Sequence, residues 1–543
     1  MTHSTINGAV IEPIVLGSGA YGTKLTITAT GSVYPGDGGA AAITGLAGVA
    51  GVVIQNAGSI AGGNANNSAT HAGGAGILLN NGGTIRNSGI IAGGTGIVHA
   101  YNGYAGGNGI DTTSGTIRNS GTISGGSGGT GYGQSSTGGT GGIGVDLSGS
   151  GMIVNRGEIL GGNGGISEGT QGVGPDGGAG IYIASGSVLN RAGATISGGR
   201  AGAGFRLNGE PGVGFIAGNA TAITNAGTIT GGAAGYGSSS GFGINFLAAG
   251  TLSNSGVIRG TGYGSEGVIG GSLTLKNSGT ISSTEFGCYG LKLAEGSVIN
   301  TGIILGGYGE NSAGIFLGAG TLDAKAGLIG VRGFGDAVLF GDNGPGTLVI
   351  SPSAQFEGNI VGNAAAADVL DLARGQTAGI LSGLGSSVSG FSTIAVDNNA
   401  TWQLDGTLAG NEAVNIGSHA TLQFYGAATV PTISFAARGD ATLLLGNPTE
   451  VTSTFNGFGS GDQIDLLGIT ATSLSYNAGT LTLLGADSQI IDTLHFNGDY
   501  TQSDFSLQAL GNGTAVAYAG TEPRTLTEIA QVNHLAGFNH VWL

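Results

Sequence analysis

Gly83-Thr84-Ile85-Arg86-Asn87-Ser88-Gly89-Ile90-Ile91-Ala92-Gly93-Gly94 contains one copy of a phrase that the chain writes nine times. The phrase is Asn-(Ser/Ala/Thr/Arg)-Gly-x-Ile-x-Gly-Gly or a close variant, and its copies begin at Asn56, Asn87, Asn119, Asn155, Asn190, Asn225, Asn254, Asn277 and Asn300. Successive copies lie 31, 32, 36, 35, 35, 29, 23 and 23 residues apart. A fixed phrase recurring at such intervals marks a solenoid, in which each copy is one coil.

The content of a copy identifies the coil. Gly76–Leu79, Gly83–Arg86 and Gly89–Ala92 are three short apolar pieces, and the order returns at 180–183, 187–189 and 194–197 and again at 290–293, 297–299 and 302–305. They are too short for helices, alternate with a period near two and are rich in Ile, Val, Leu and Thr, which reads as strands. Gly, Asn and Ser separate them and accept the backbone of sharp corners. The expectation is an all-β, right-handed parallel β-helix of three-stranded coils with three corners each. Stacked coils give a continuous interior of Ile, Leu and Val. The nine asparagines read either as corner residues tolerant of left-handed backbone or as a side-chain amide ladder. The shortest period, 23 residues, is close to one bare coil, so the glycine-rich extras such as 125–142 and 161–180 read as loops gathered on one corner.

Composition bounds the rest. The chain has 543 residues and 120 glycines, about three times the ordinary share near 7%. No chain-long Gly-X-Y period exists and Pro is scarce, which excludes collagen, while ordered apolar phrases argue against a disordered chain. Lys and Arg number 15 against 31 Asp and Glu, a net charge of −16 that opposes nucleic-acid binding. Ser, Thr, Asn, Gln and backbone must cover the surface, which suits glycan contact or an inert matrix coat and is equally the default of a neutral extracellular solenoid. The single cysteine, Cys288, makes no internal disulfide and reads as a small buried residue. Residues 1–18 lack the basic and apolar regions of a signal peptide, and no run of 18 apolar residues predicts a transmembrane helix.

Five regions are expected: a cap or irregular first coil at 1–50, Asn-x-Gly coils at 51–340, a second solenoid segment of another coil type at 341–450, a β-rich C-terminal region at 451–520 and a tail at 521–543 with a helix at 526–535. In the second segment the Asn corner is lost but strands such as Ala420–Phe424 and Ala441–Leu445 recur near every 20 residues.

These phrases resemble the passenger domains of bacterial autotransporters and related large secreted β-helical adhesins. The likeness extends through Val369–Leu372, 380–385, Gly390–Ile394 and Ala400–Leu404, and Phe458–Leu466 is similar to the last segment of alphaproteobacterial secreted repeat proteins, some of them type I export substrates. The resemblance implies an extracellular or cell-surface location, in a matrix or biofilm, and glycan or protein partners. It also implies a signal peptide and a membrane barrel, neither of which is found in the chain. A type I substrate, a fragment or another route to the surface is therefore expected.

Candidate chemistry is sparse. Gly459-Ser460-Gly461-Asp462-Gln463-Ile464-Asp465-Leu466 echoes a calcium-binding β-roll phrase, with Asp462 and Asp465 as the only acidic ligands where calcium takes six to eight oxygens. No other cofactor is indicated. Asp111 and Asp146 fall at the same phase of neighbouring coils and form the one pair suited to polysaccharide acid/base chemistry, although their strand position also fits a solvated face. A Thr column at Thr84, Thr116, Thr251 and Thr274 is interrupted, and its neighbour reads Arg86, Arg118, Val154, Leu189, Thr224, Ser253, Lys276 and Ile299, so no regular ice-binding face is expected. The sequence thus predicts a structural or adhesive β-helix acting by many weak contacts, with a carbohydrate-active enzyme and a self-assembling sheath or filament subunit, a homo-oligomer, as the alternatives.

Overall fold

The computed structural model describes residues 3–520 apart from 67–71, 100–101, 135, 236–240 and 438. The helix expected in the tail lies outside these residues. The chain divides into two compact units, Met1–Leu317 with Leu328–Val338 and Phe356–Gly358, and Gly318–Gly327 with Leu339–Gln355 and Asn359–Leu543.

The first unit is a parallel β-solenoid, as its repeats require. One coil contains strands Ile77–Leu79, Gly83–Asn87 and Ile90–Ala92, and the next contains Ile110–Thr112, Gly115–Asn119 and Thr122–Ser124. Ile77, Ile85 and Ile91 stand opposite Ile110, Ile117 and Ile123. The phrase therefore sets the register, since a one-residue slip would turn every inward side chain outward. The third strand builds an unbroken isoleucine column, Ile60, Ile91, Ile123, Ile159, Ile196, Ile229, Ile258, Ile281 and Ile304, each with no exposed surface. Each such burial contributes about 1.5–3 kcal/mol.

Two features differ from the sequence reading. In Val145–Asn155, Ile181–Asn190, Phe215–Asn225, Val268–Asn277 and Tyr289–Asn300 the first two strands run on as one, so that corner is a bend within a strand. A register shift at Leu147/Ser150 takes up the bend in one pairing, and a shift at Ser185/Ser187 does so in the next. Residues 3–50 are also regular, not an irregular cap: His3–Ile6 pairs with Lys24–Ile27, which pairs with Val53–Asn56, and Ile14 stands opposite Ile43. These coils keep the alternation without the Asn phrase, because Ile6 and Ile27 occupy the column that Asn56 begins.

The larger departure concerns the glycine-rich stretches. They are ordered arms, an outgoing and a returning one per coil, whose backbones bond in a period of three. Gly125, Gly128 and Gly131 donate to Leu160, Asn163 and Ile166 of the next coil's outgoing arm, while Gly126 and Gly129 donate to Gly107 and Tyr104 of the preceding returning arm. The cross-arm series is continuous, with Gly74 N–H to Gly63, Gly94 to Gly74, Gly107 to Gly94, Gly126 to Gly107, Gly142 to Gly126, Gly162 to Gly142 and Gly178 to Gly162 at 2.7–2.8 Å. A three-residue repeat is that of polyproline-II backbone, and here it bonds laterally instead of to water. Two of three positions are mostly glycine, with Ala65 and Ala201 as exceptions at one phase, because the arms approach too closely for most side chains. A Cβ on Gly142 would lie 2.0 Å from the Gly107 carbonyl oxygen, and one on Gly178 1.9 Å from that of Gly142. The local Gly-Gly-x period, as in Gly125-Gly126-Ser127-Gly128-Gly129-Thr130, is the signature of these arms.

The second unit stacks coils with two strands on the sheet. Thr393–Val396, Ala413–Ile416 and Thr432–Phe435 pair on one side, and Thr401–Gly406, Thr421–Phe424, Thr442–Leu445 and Gln463–Leu467 on the other. Asn399, His419 and Asp440, each at φ 60°, turn the chain between them, and the following Ala400, Ala420 and Ala441 are buried. The coil type differs from that of the first unit. Beyond it the strands become antiparallel: Ser473–Asn477, Thr480–Leu484 and Ile490–Asn497 form one meander, and Phe505–Leu510 with Gly513–Tyr518 folds back onto Gln463–Leu467. Phe455, Phe458, Phe496 and Phe505 pack with centroids 4.9–6.1 Å apart and close the core.

Gly142→Ala is expected to cost on the order of 3 kcal/mol through overpacking, seen as faster proteolysis of the arms, whereas Gly271→Ala, where a Cβ meets nothing within 4 Å, should be nearly silent. Equal behaviour of the two variants would refute the close-packed arms.

Candidate functional site

The nine repeat asparagines are buried, each at most 2% exposed. Their side chains form a ladder in which Asn56 Nδ2 donates to Asn87 Oδ1 at 2.8 Å, Asn87 to Asn119 at 2.8 Å, Asn119 to Asn155 at 2.9 Å, and Asn155 to Asn190 at 3.0 Å. Asn190, Asn225, Asn254 and Asn277 continue it to Asn225, Asn254, Asn277 and Asn300, each at 2.8 Å. The same residues shape the corner: Gly58 N–H donates to Asn56 Oδ1, and Asn56 Nδ2 reaches the Gly58 carbonyl. The amide ladder is the reading that holds: all nine asparagines end strands and none stands at positive φ, so the left-handed corner reading fails, although the role remains structural.

Asp111 and Asp146 are brought together as their phase requires. They stand opposite one another on paired strands, one strand spacing of about 4.8 Å apart, and both are half-buried. Asn108, on the returning arm, donates from Nδ2 to Asp146 Oδ2 at 3.4 Å while its Oδ1 accepts from Ile143 N–H. Asp146 Oδ1 is buried without a hydrogen bond. Burial, then the charge of Asp111, pushes the Asp146 carboxyl up to about 6, and burial raises Asp111.

Asp462 and Asp465 point to different tasks. Asp462 is buried, and its two carboxylate oxygens accept from Ala441 N–H at 3.1 Å and Gly459 N–H at 2.8 Å. Asp465 lies on the half-exposed row of its strand and accepts from Gln463. The phrase is itself a repeat, since Asp368-Val369-Leu370-Asp371-Leu372 matches Asp462-Gln463-Ile464-Asp465-Leu466. Asp368 likewise accepts from Gly346 N–H at 2.6 Å and Asn363 N–H at 2.7 Å. The first Asp of each phrase ties backbone across coils, a structural role that the calcium reading missed. Among the described residues no three His, Cys, Asp or Glu side chains gather as a metal site. The second Asp of the earlier phrase, Asp371, is pushed up to about 7 by burial and then by Asp397 and Asp323.

Another cluster lies beside the later arms. Glu266, 3% exposed, has Lys292 3.7 Å from its Oε1, and Lys292 Nζ stands 5.0 Å over the Tyr289 ring. Cys288 is fully buried, with Sγ against the Gly262 and Phe286 carbonyls and its thiol pushed up by burial, as a structural cysteine should be.

Outside this cluster, Tyr263, Phe286 and Tyr308 make an exposed aromatic row on successive coils, 54%, 56% and 40% accessible. Tyr263 and Phe286 stack with centroids 6.4 Å apart, Phe286 and Tyr308 lie at 5.7 Å, and Phe334 nearby in sequence is 84% exposed. Sequence reading overlooked the row. Its signal was an aromatic beside a glycine eight or nine positions after the repeat asparagine, in Tyr263-Gly264, Phe286-Gly287 and Tyr308-Gly309.

No family model, curated protein or solved structure matches the chain.

Two outcomes are expected. Asn190→Ala leaves Asn155 Nδ2 and Asn225 Oδ1 without their ladder partners, costing on the order of 2–4 kcal/mol, and hydrogen exchange should quicken in the adjoining coils first. Asp371 keeps its proton in the folded state up to about pH 7, whereas unfolded it releases it near pH 4. Its contribution is therefore complete below about pH 4 and lost as pH rises to about 7. Denaturant midpoints followed by fluorescence of buried Trp402 should fall over that window, and Asp371→Asn should remove a drop on the order of 4 kcal/mol.

Proposed function

We propose that this chain is a secreted or cell-surface adhesive and structural β-solenoid that makes multivalent contacts with a surface, matrix glycan or protein. The observation that supports this reading is the aromatic row Tyr263, Phe286 and Tyr308, which leaves large apolar rings in solvent on three consecutive coils. Rings repeated at coil spacing suit a partner that is itself repetitive, because each ring engaged raises the effective concentration of the next. Aromatic faces also contribute large contact area at little entropic cost. The likeness of the Asn-x-Gly coils to autotransporter passengers and secreted β-helical adhesins points the same way, and extracellular placement belongs to the same proposal.

One observation favours a second reading, a polysaccharide-active enzyme. Asp146, held at about 6 beside Asp111, has the raised carboxyl of a general acid next to a second carboxylate. The two readings separate in one assay that scores protein retained on intact cells and polysaccharides together with reducing ends released. Under the adhesive reading, Tyr263→Ser/Phe286→Ser/Tyr308→Ser should lower retention at least ten-fold, about 1.4 kcal/mol, with no reducing ends released. Undiminished retention would remove the row from the account, and release abolished by Asp146→Asn would make the protein an enzyme.

A further inference from the structure

One corner of the first unit carries a groove of about 570 Å³ that the aromatic row does not share. It runs over successive coils from Thr26 to Arg156 and is lined by Thr28, Gln55, Arg86, Ser88, Arg118 and Arg156 among others, with no acidic and no aromatic side chain in its wall. Five coils at the strand spacing make it roughly 19 Å long.

The arginines are stacked. Gln55, Arg86 and Arg118 occupy one register column, so the Arg86 and Arg118 guanidinium groups project from adjacent strands. At the next coil Val154 takes that column, and the cation moves across the corner to Arg156, in the place that Ser88 and Ser120 hold beside Asn87 and Asn119. The ion pairs among the described residues are Lys292–Glu266, Lys325–Asp323 and His419–Asp440, so none neutralises these arginines. A chain with 15 basic residues and a net charge of −16 thus gathers three of them in one exposed groove.

The coil does not require them. The same column holds Val154, Leu189, Thr224 and Ser253 in other coils with the ladder intact. Stacking like charges one strand apart opposes folding, which leaves a ligand as the reason for their presence.

We propose that this groove binds an acidic glycan, a linear polysaccharide with carboxylate or sulfate groups along its length. The guanidinium fork takes either anion through paired N–H donors, and the hydroxyls of Thr28, Ser88 and Ser120 meet sugar hydroxyls between them. Repeating anions on a polymer match repeating cations on a solenoid. Nucleic acid fits less well: the wall offers no aromatic ring for base stacking, and the net negative charge of the chain repels a phosphate backbone. The proposal extends the adhesive reading to a second site of different chemistry and stands apart from the aromatic row.

The test measures binding of the full chain to polygalacturonate, dextran sulfate, unmodified dextran and duplex DNA at low and physiological salt. The expected result is binding to at least one acidic glycan, at least ten-fold tighter than to dextran and weakened by salt. Arg86→Gln/Arg118→Gln should lose at least ten-fold, and Arg156→Gln should lose part of the affinity. Arg118→Lys, which keeps charge but not the fork, should fall between wild type and the double variant. Preference between polygalacturonate and dextran sulfate assigns carboxylate or sulfate. The three arginines substituted here, Arg86, Arg118 and Arg156, are exposed at the corner, and circular dichroism verifies the fold. Variants that bind as wild type, dextran bound as tightly as the acidic glycans, or DNA bound in preference to them would each overturn the proposal. Tyr263→Ser/Phe286→Ser/Tyr308→Ser should leave acidic-glycan binding intact, so failure of the aromatic row and failure of the arginine groove are read separately.

Discussion

In-register parallel pairing between successive coils is the constraint on which the rest depends. Strands one coil apart stand about 4.8 Å from each other, so whatever the sequence places at one phase is set against its own counterpart. Isoleucine at the third strand becomes a column of nine buried isoleucines, and asparagine at the corner becomes a hydrogen-bonded ladder. Any residue that cannot stack on itself is excluded from these inner columns. A single buried amide would leave donors unsatisfied, whereas a row of them satisfies each member with the next.

The glycine arms meet the same requirement without side chains. Backbone N–H and C=O groups removed from water must be paired, and the arms do this by bonding alternately to the same-side arm of the next coil and across to the opposite arm. The approach this demands leaves no space for a Cβ. The glycine content follows from a backbone layer in which most side chains would collide, and flexibility is not needed to account for it. The Asp368 and Asp462 carboxylates are a third solution, each holding one backbone N–H of the preceding coil and one of the turn just before it.

Repetition also organises the surface. Outward positions become rows, so an aromatic or an arginine at a fixed phase becomes a linear array, as at Tyr263, Phe286 and Tyr308 or at Arg86 and Arg118. Carboxylates at a shared phase are likewise forced beside one another. Asp146 retains its proton to about pH 6 through burial and its neighbour Asp111. Such arrays engage extended, repeating partners more readily than compact ones, which is the physical ground of the adhesive role proposed above.

The chain's own letters determined the solenoid, its coil length, the phase of its strands, the asparagine column and the change of coil type after the repeats. All of these are periodic, and stacking converts period directly into contact. They also placed Asp111 and Asp146 opposite each other for the same reason. What the letters left open was decided by contacts that have no single-coil signature. The Gly-Gly-x stretches resembled loops because their hydrogen bonds run between arms from neighbouring coils, beyond any local window. The part Asp462 plays in joining coils was not legible because Ala441 N–H, one of its two partners, is placed beside it only when the coils close. The aromatic row and the arginine groove leave marks in the sequence, a repeated aromatic-glycine pair and the Arg86/Arg118 column, but only the folded wall shows that these rings and charges are left to solvent.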